Sequence, residues 1–315
     1  IRDREPVTYA ETFLLAGEWR DMASNGLVAR SAGALVSFAI FFMGATVAQA
    51  AVTCPKPLTA DIPQRALRAP SGSEVMSHLQ TVSGPQRDHE VLGQVLAGNI
   101  PSFLRQLKPV EITGTRKNGE EVRVTLCVMP EYLAVGDDRD FVRVPMGLAA
   151  AARIANETGF LLPTTKMVDA IYSQARVHLA PRPMKPTSQM ESTAYLLEHN
   201  HTLDTQRAQE SRDMAELTAG QKKDIVLTNR LRQKPGRVAI YGWHRPNGKP
   251  IQPLSTVHGA SYADYSHGVR LISRTAFVNG KAEDLTKLMQ DRELSYIVSS
   301  EGPISDPQKL LARQY

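Results

Sequence analysis

The chain reads as an α+β protein: a mixed or antiparallel sheet with flanking helices, following a cleaved signal peptide. Three observations predict this. Apolar residues alternate with polar ones on both sides of Lys117-Asn118-Gly119, a hairpin signal. Elsewhere they recur at helical spacing, as in Val91, Leu92, Val95 and Leu96 or the stripe Met167, Val168, Ile171 and Tyr172. Strands arrive in pairs as well as between helices, which favours α+β over a doubly wound parallel sheet.

Residues 22–50 have the form of a secretory signal. Residues 22–30 carry one positive charge, 32–45 are apolar, and Ala48-Gln49-Ala50 is a small-x-small cleavage pattern. The apolar run is about 14 residues, short of the roughly 20 that a permanent span needs, and no twin-arginine pair is present. Residues 1–21 fit no targeting pattern and are expected to be translated leader instead of native protein.

Residues 55–70 are proline-rich and expected to be extended. Ser71 or Ser73 caps a short helix reaching Leu79. Residues 85–97 form a helix stopped by Gly98-Asn99, and 100–107 a short one. Strands follow at 110–116 and 121–129, then a second pair at 132–135 and 141–144. The acidic turn between them, 136–140, lacks the alternating ligands and distal glutamate of a calcium loop. Residues 148–158 are an alanine-rich helix closed by Gly159. Thr164 caps the next, 165–175, where Lys166 and Asp169 are placed to pair. Residues 177–186 are extended. Residues 190–217 are helical, with His199 and His201 read as solvated. Strands come at 222–229, 237–243 and 269–278, then short helices at 283–290 and 292–298 and a polar tail from Gly302. The prolines of 181–189 mark the division between an N-terminal part, 51–180, and a C-terminal part, 190–315.

The whole chain carries +5. Its first fifty residues hold four arginines and five acids, so the remainder carries +6. That charge is dispersed and interleaves with no aromatic run, so nucleic acid is not an expected partner. Cys54 and Cys127 are the two cysteines. In an exported chain such a pair forms a disulfide, and Cys127 lies in an alternating strand far in sequence from any histidine, a poor setting for a catalytic thiol.

The candidate site lies in two runs. Residues 241–253 contain Trp243 and His244 among glycines and prolines. Residues 258–270 contain His258, Tyr262, Asp264, Ser266, His267 and Arg270. Histidine changes charge near neutral pH and serves as base or metal ligand, and Asp264 is placed to orient an imidazole. The reading takes His258, Asp264 and His267 as catalytic, the same three as a zinc-ligand set, and Lys223, Trp243, His244, Tyr262, Ser266 and Arg270 as substrate-binding, with Arg270 gripping a carboxylate. Gly259 and Gly268 would let a substrate backbone approach. The alternative for the same residues is a polar network that fixes a long loop.

His258-Gly259 followed by Ser266-His267-Gly268-Val269-Arg270 resembles the His-Gly…Ser-His-Gly-Cys-x-Arg signature of YkuD-type L,D-transpeptidases, exported enzymes that cross-link peptidoglycan. Val269 stands where those enzymes have cysteine, so the resemblance implies a histidine-and-arginine site for carboxylated peptides but no cysteine acyl-enzyme. His258, Asp264 and His267 are also similar to the His, Asp and later His of zinc D-Ala-D-Ala carboxypeptidases, with a spacing of six where those have seven. Residues 162–169 and 241–271 look like segments of uncharacterised exported bacterial proteins. The resulting expectation is a periplasmic or secreted hydrolase of a peptide or amide bond in a cell-wall polymer. The rival is a non-catalytic module binding glycan or peptide, with Trp243, Tyr262 and Tyr265 as its platform.

Overall fold

The computed structural model describes residues 53–312. The expected leader and signal peptide lie outside the described residues. In chain order the elements are α1 (Gly72–Ser77), α2 (Gly84–Leu96), β1 (Lys108–Thr115), β2 (Glu121–Val128), β3 (Ala134–Gly136), β4 (Phe141–Arg143), α3 (Leu148–Glu157), β5 (Phe160–Leu161), α4 (Thr165–Gln174), β6 (Val177–His178) and α5 (Thr193–Ala208). They continue with β7 (Thr218–Ala219), β8 (Lys223–Ile225), α6 (Arg230–Gln233), β9 (Ile240–His244), β10 (Pro250–Ser255), β11 (His267–Gly268), β12 (Ile272–Ser273), β13 (Thr275–Val278), β14 (Lys281–Asp284), α7 (Leu285–Gln290), α8 (Ser295–Val298) and α9 (Pro307–Ala312). This is an α+β fold.

The largest sheet is antiparallel and centred on β2. The β1–β2 hairpin pairs Thr115 with Glu121 across the predicted turn. On its other edge β2 is met first by β13 and then by β12, with Phe277 opposite Thr125 and Ile272 opposite Val128. The strand expected at 269–278 is therefore cut in two at Arg274, whose N–H turns to the carbonyl of Gly159. β14 and β5 extend the ends. A smaller mixed sheet has the order β10-β9-β8-β11. Here β8 and β11 run parallel, with Lys223 opposite His267, and β9 lies antiparallel on the other side of β8, with Gly242 opposite Lys223. α4 packs on both β1 and β9 and so joins the two sheets. Its apolar stripe, Met167, Val168 and Ile171, enters one continuous core with Leu126, Val128, Phe160 and Ile272. The described residues fall in one compact unit, and the larger sheet takes strands from both the 51–180 and the 190–315 parts.

The local signals act as their chemistry dictates. Ser71 and Glu74 form a reciprocal capping box on α1, and Thr164 caps α4 through the N–H of Met167; each is worth about 1 kcal/mol. Cys54 and Cys127 form a disulfide, Cα to Cα 5.6 Å, across 73 residues of sequence. Loop entropy alone puts its contribution at about 4 kcal/mol. Among the described residues no helix is long and apolar enough to cross a membrane.

Several expectations are corrected. Residues 56–59 form a 3-10 turn where extended chain was expected. A hairpin, β9–β10, spans most of the glycine- and proline-bearing run 241–253, and helix α9 occupies part of the tail. Lys166 and Asp169 do not pair: Lys166 donates to the carbonyl of Tyr296, and Asp169 accepts from Tyr241 and His244. His199 is fully buried, because that side of α5 is covered by the residues just ahead of β8 and β11: Lys222 Nζ lies 3.2 Å from its Nδ1 and the Tyr265 ring meets its ring edge-on.

Candidate functional site

The loop between β10 and β11 carries most of the predicted residues, and its backbone is held from three directions. Val238 N–H donates to the carbonyl of His258, Ala260 N–H to that of Gly236, and Leu148 N–H, at the start of α3, to that of Ala260. Gly147 makes the last contact attainable. A Cβ there would sit 3.0 Å from the Ala260 oxygen and 3.1 Å from Ser261 Cα, tighter than most side chains make, so the loop would have to shift by a few tenths of an ångström. Further along, Asp264 Oδ1 accepts from both the N–H and the hydroxyl of Ser266, the local turn chemistry that aspartate favours. Lys223 N–H then bonds the Ser266 carbonyl and starts the β8–β11 pairing.

Six predicted residues converge there. Asp264 Oδ2 accepts from the Tyr262 hydroxyl at 3.2 Å, lies 3.7 Å from Lys223 Nζ and 4.0 Å from His267 Nε2. Lys223 Nζ stands over the Trp243 ring, 5.2 Å from its centre. The His258 ring stacks on Tyr262, 4.1 Å apart and 9° from parallel, with its centre 6.3 Å from that of His267. Burial would raise the Asp264 carboxyl, but His267, Lys223 and the Ser266 hydrogen bonds outweigh it and hold it at about 2. Burial lowers His267 to about 4 against the opposing pull of Asp264. At pH 7 His267 is thus neutral, and Lys223 is the counter-ion of Asp264.

The convergence is sealed from beneath. His267 has 0% exposure, and Asp264, Ser266 and Arg270 are equally buried. Neither ring nitrogen of His267 has a hydrogen-bond partner. A general base must reach the proton it takes, so the catalytic assignment of His267 and Asp264 does not fit the geometry, and Ser266, bound to Asp264, is not a free nucleophile. Among the described residues no three His, Cys, Asp or Glu are placed to hold a metal ion, so the zinc set of His258, Asp264 and His267 is not assembled. Arg270 donates to the carbonyls of Met129 and Thr218 at 3.0 and 2.7 Å and covers the Tyr132 ring at 4.1 Å; fully buried, its guanidinium ties these segments together. The glycine beside it serves the same packing, since a Cβ at Gly268 would meet Tyr132 Cδ1 at 2.5 Å.

Trp243 and Tyr265 are buried and offer no platform. Trp243 is held at φ 56°, a strained backbone for a large side chain, with its N–H on the Lys222 carbonyl. His244 belongs to a different place. Its Nε2 lies 3.0 Å from Asp169 Oδ1 and its ring stacks on Tyr172, in the wall of a cavity of about 330 Å³ that His178 also lines. What remains open at the predicted site is the half-buried His258–Tyr262 pair, beside Val257 at 70% exposure.

A larger polar group lies behind the loop and was not predicted. Arg143 and Glu131, each 1% exposed, approach to 3.1 Å. The contact is one of charge more than of aligned hydrogen bonding, since Arg143 Nε and Glu131 Oε2 have no hydrogen-bond partner. Glu131 accepts from Gln221 and the Tyr132 N–H. Lys222 Nζ donates to the Tyr265 carbonyl, and burial brings it down to about 7. Asp88, on α2, is buried with Oδ2 on the Gly147 N–H. One of these had a readable signal: Asp88 shares the helical face of Val91, Leu92 and Val95, where an apolar residue is expected. No family model, curated protein or solved structure matches this chain.

Proposed function

We propose that the chain is a non-catalytic binding module of the extracytoplasmic space that takes a peptide or glycan of the cell envelope. The signal-like segment and the Cys54–Cys127 disulfide support export, since disulfides persist in oxidising compartments. The observation that carries the binding reading is the coplanar His258–Tyr262 stack, open to solvent beside exposed Val257 and fixed from below by buried Asp264 and His267. A rigid ring pair with one wet edge suits stacking against a sugar face or a peptide plane at low entropic cost. The direct test is sedimentation with insoluble peptidoglycan. Tyr262→Ala is expected to lower retention about tenfold while its melting temperature stays within a few degrees of the parent. Unchanged retention would remove the ring pair from the account.

A second reading, the envelope hydrolase, is favoured by one observation: the carboxylate–imidazole contact between Asp169 and His244 borders a cavity, as a general base with its orienting acid would. Mass analysis of peptidoglycan incubated with the protein, with and without chelator, distinguishes the readings. A fragment that the parent releases and His244→Ala does not would favour the enzyme.

A further inference from the structure

The loop that displays His258 and Tyr262 also closes a cavity with its intervening residues. Gly259, Ala260 and Ser261 face α2 and the start of α3 across a space of about 430 Å³. Leu92 and Ala150 give it an apolar wall, and Asp88 is part of that wall. Asp88 is 6% exposed. Its Oδ2 is occupied by the Gly147 N–H at 2.7 Å, whereas its Oδ1 has no hydrogen-bond partner. Burial raises this carboxyl to about 6, so at neutral pH it is mostly ionised. A buried carboxylate with an unused oxygen is costly and needs an explanation. Arg87 next to it is close enough to favour its charged form, but its hydrogen bond goes to the Glu191 carbonyl. Arg153, also at the cavity, is held by Glu157 at 2.6 Å. Neither supplies the missing donor.

We propose that this cavity receives a primary ammonium group on an aliphatic stem, such as a lysine or other diamino-acid side chain of a peptide, with Asp88 as its counter-ion and Leu92 and Ala150 against the stem. The proposal rests on the binding reading above and narrows its ligand from glycan or peptide to an amine-bearing peptide. Three donors on a compact charge match an acceptor that already uses one oxygen, and the volume suits a side chain with its flanking backbone.

The test is calorimetric titration of the full mature chain with Nα-acetyl-Ala-Lys-Ala-amide, its Nε-acetylated form and chitotetraose. The free-amine peptide is expected to bind, and Nε-acetylation to weaken it by about tenfold to a hundredfold, the worth of a charge-assisted hydrogen bond. Asp88→Asn keeps an acceptor for the Gly147 N–H and should weaken the free-amine peptide to the level of the acetylated one. Ala150→Leu, which fills the cavity without touching Asp88, should abolish binding of both peptides. Equal binding of the two peptides to the parent protein, or undiminished binding by Asp88→Asn, would overturn the ammonium site and leave the binding module standing. Binding of chitotetraose alone would do the same in favour of a glycan. Binding of none of the three would overturn the module and the ammonium site together.

Discussion

Replacing Arg143 by methionine tests whether the buried polar group is structural. Methionine keeps an unbranched apolar stem and removes the charge. Glu131 would then retain the Gln221 amide at 2.6 Å and the Tyr132 N–H at 2.8 Å, but would lose the guanidinium at 3.1 Å. Asp204, itself near half-exposed, can turn to water, so the cost falls on Glu131. Removing one partner of a buried pair typically costs about 3–5 kcal/mol, because the other charge is left uncompensated. Unfolding entropy of about 2.1 cal/mol/K per residue over the described residues makes about 4 kcal/mol equivalent to a fall of about 7 °C. Calorimetric melts at pH 7 read it directly. The double variant Arg143→Met with Glu131→Gln removes both charges, leaves an amide oxygen at position 131 to accept from Gln221 and the Tyr132 N–H, and should recover more than half of the loss. A single-variant loss below about 1 kcal/mol, or a double variant no better than the single, would refute the reasoning.

Three other outcomes follow from the same structure. The double variant Cys54→Ser with Cys127→Ala should be less stable by about 4 kcal/mol, and a reducing agent should lower the melting temperature of the parent and leave that of the variant unchanged. Because His267 titrates near 4 when folded and near 6.5 when unfolded, the unfolded chain takes the proton first as pH falls. The stability tied to His267 is therefore complete above pH 6.5 and lost toward pH 4, by about 3 kcal/mol; urea midpoints of His267→Leu should show a shallower decline over that window than the parent. Gly268→Ala should cost about 1–3 kcal/mol through overpacking, since the new methyl would meet Tyr132 at 2.5 Å and Lys222 Cβ at 2.9 Å, and a urea titration with an unchanged midpoint would contradict that packing.

Local chemistry made much of the fold readable. The Lys117-Asn118-Gly119 turn, the Ser71 and Thr164 caps and the stripes of α2 and α4 act within a few residues, so their spacing alone specifies them. The division of 269–278 at Arg274 and the burial of His199 were not readable, because both depend on partners distant in sequence: the Gly159 carbonyl in one case and Lys222 in the other. The site shows the same contrast. That His258, Tyr262, Asp264, His267, Lys223 and Trp243 meet was legible as a cluster of chemically capable side chains. Which of them face solvent was not, since a histidine that supports a loop and one that meets a ligand have the same letter in sequence. Arg270 reads as a clamp until Met129 and Thr218 are seen to take both its terminal nitrogens. Asp88 is legible in one respect, its place on the apolar helix face of Val91, Leu92 and Val95.

On the proposed binding reading, His258 meets the ligand while His267 only supports the loop. It is tested most directly by NMR of ring-labelled histidines during titration with soluble peptidoglycan peptides. The account predicts that the His258 ring signals shift with ligand, the His267 signals stay in place, and the recovered peptides keep their mass. Shifts at His267 accompanied by cleaved peptide, or no shift at His258 at saturating ligand, would contradict it.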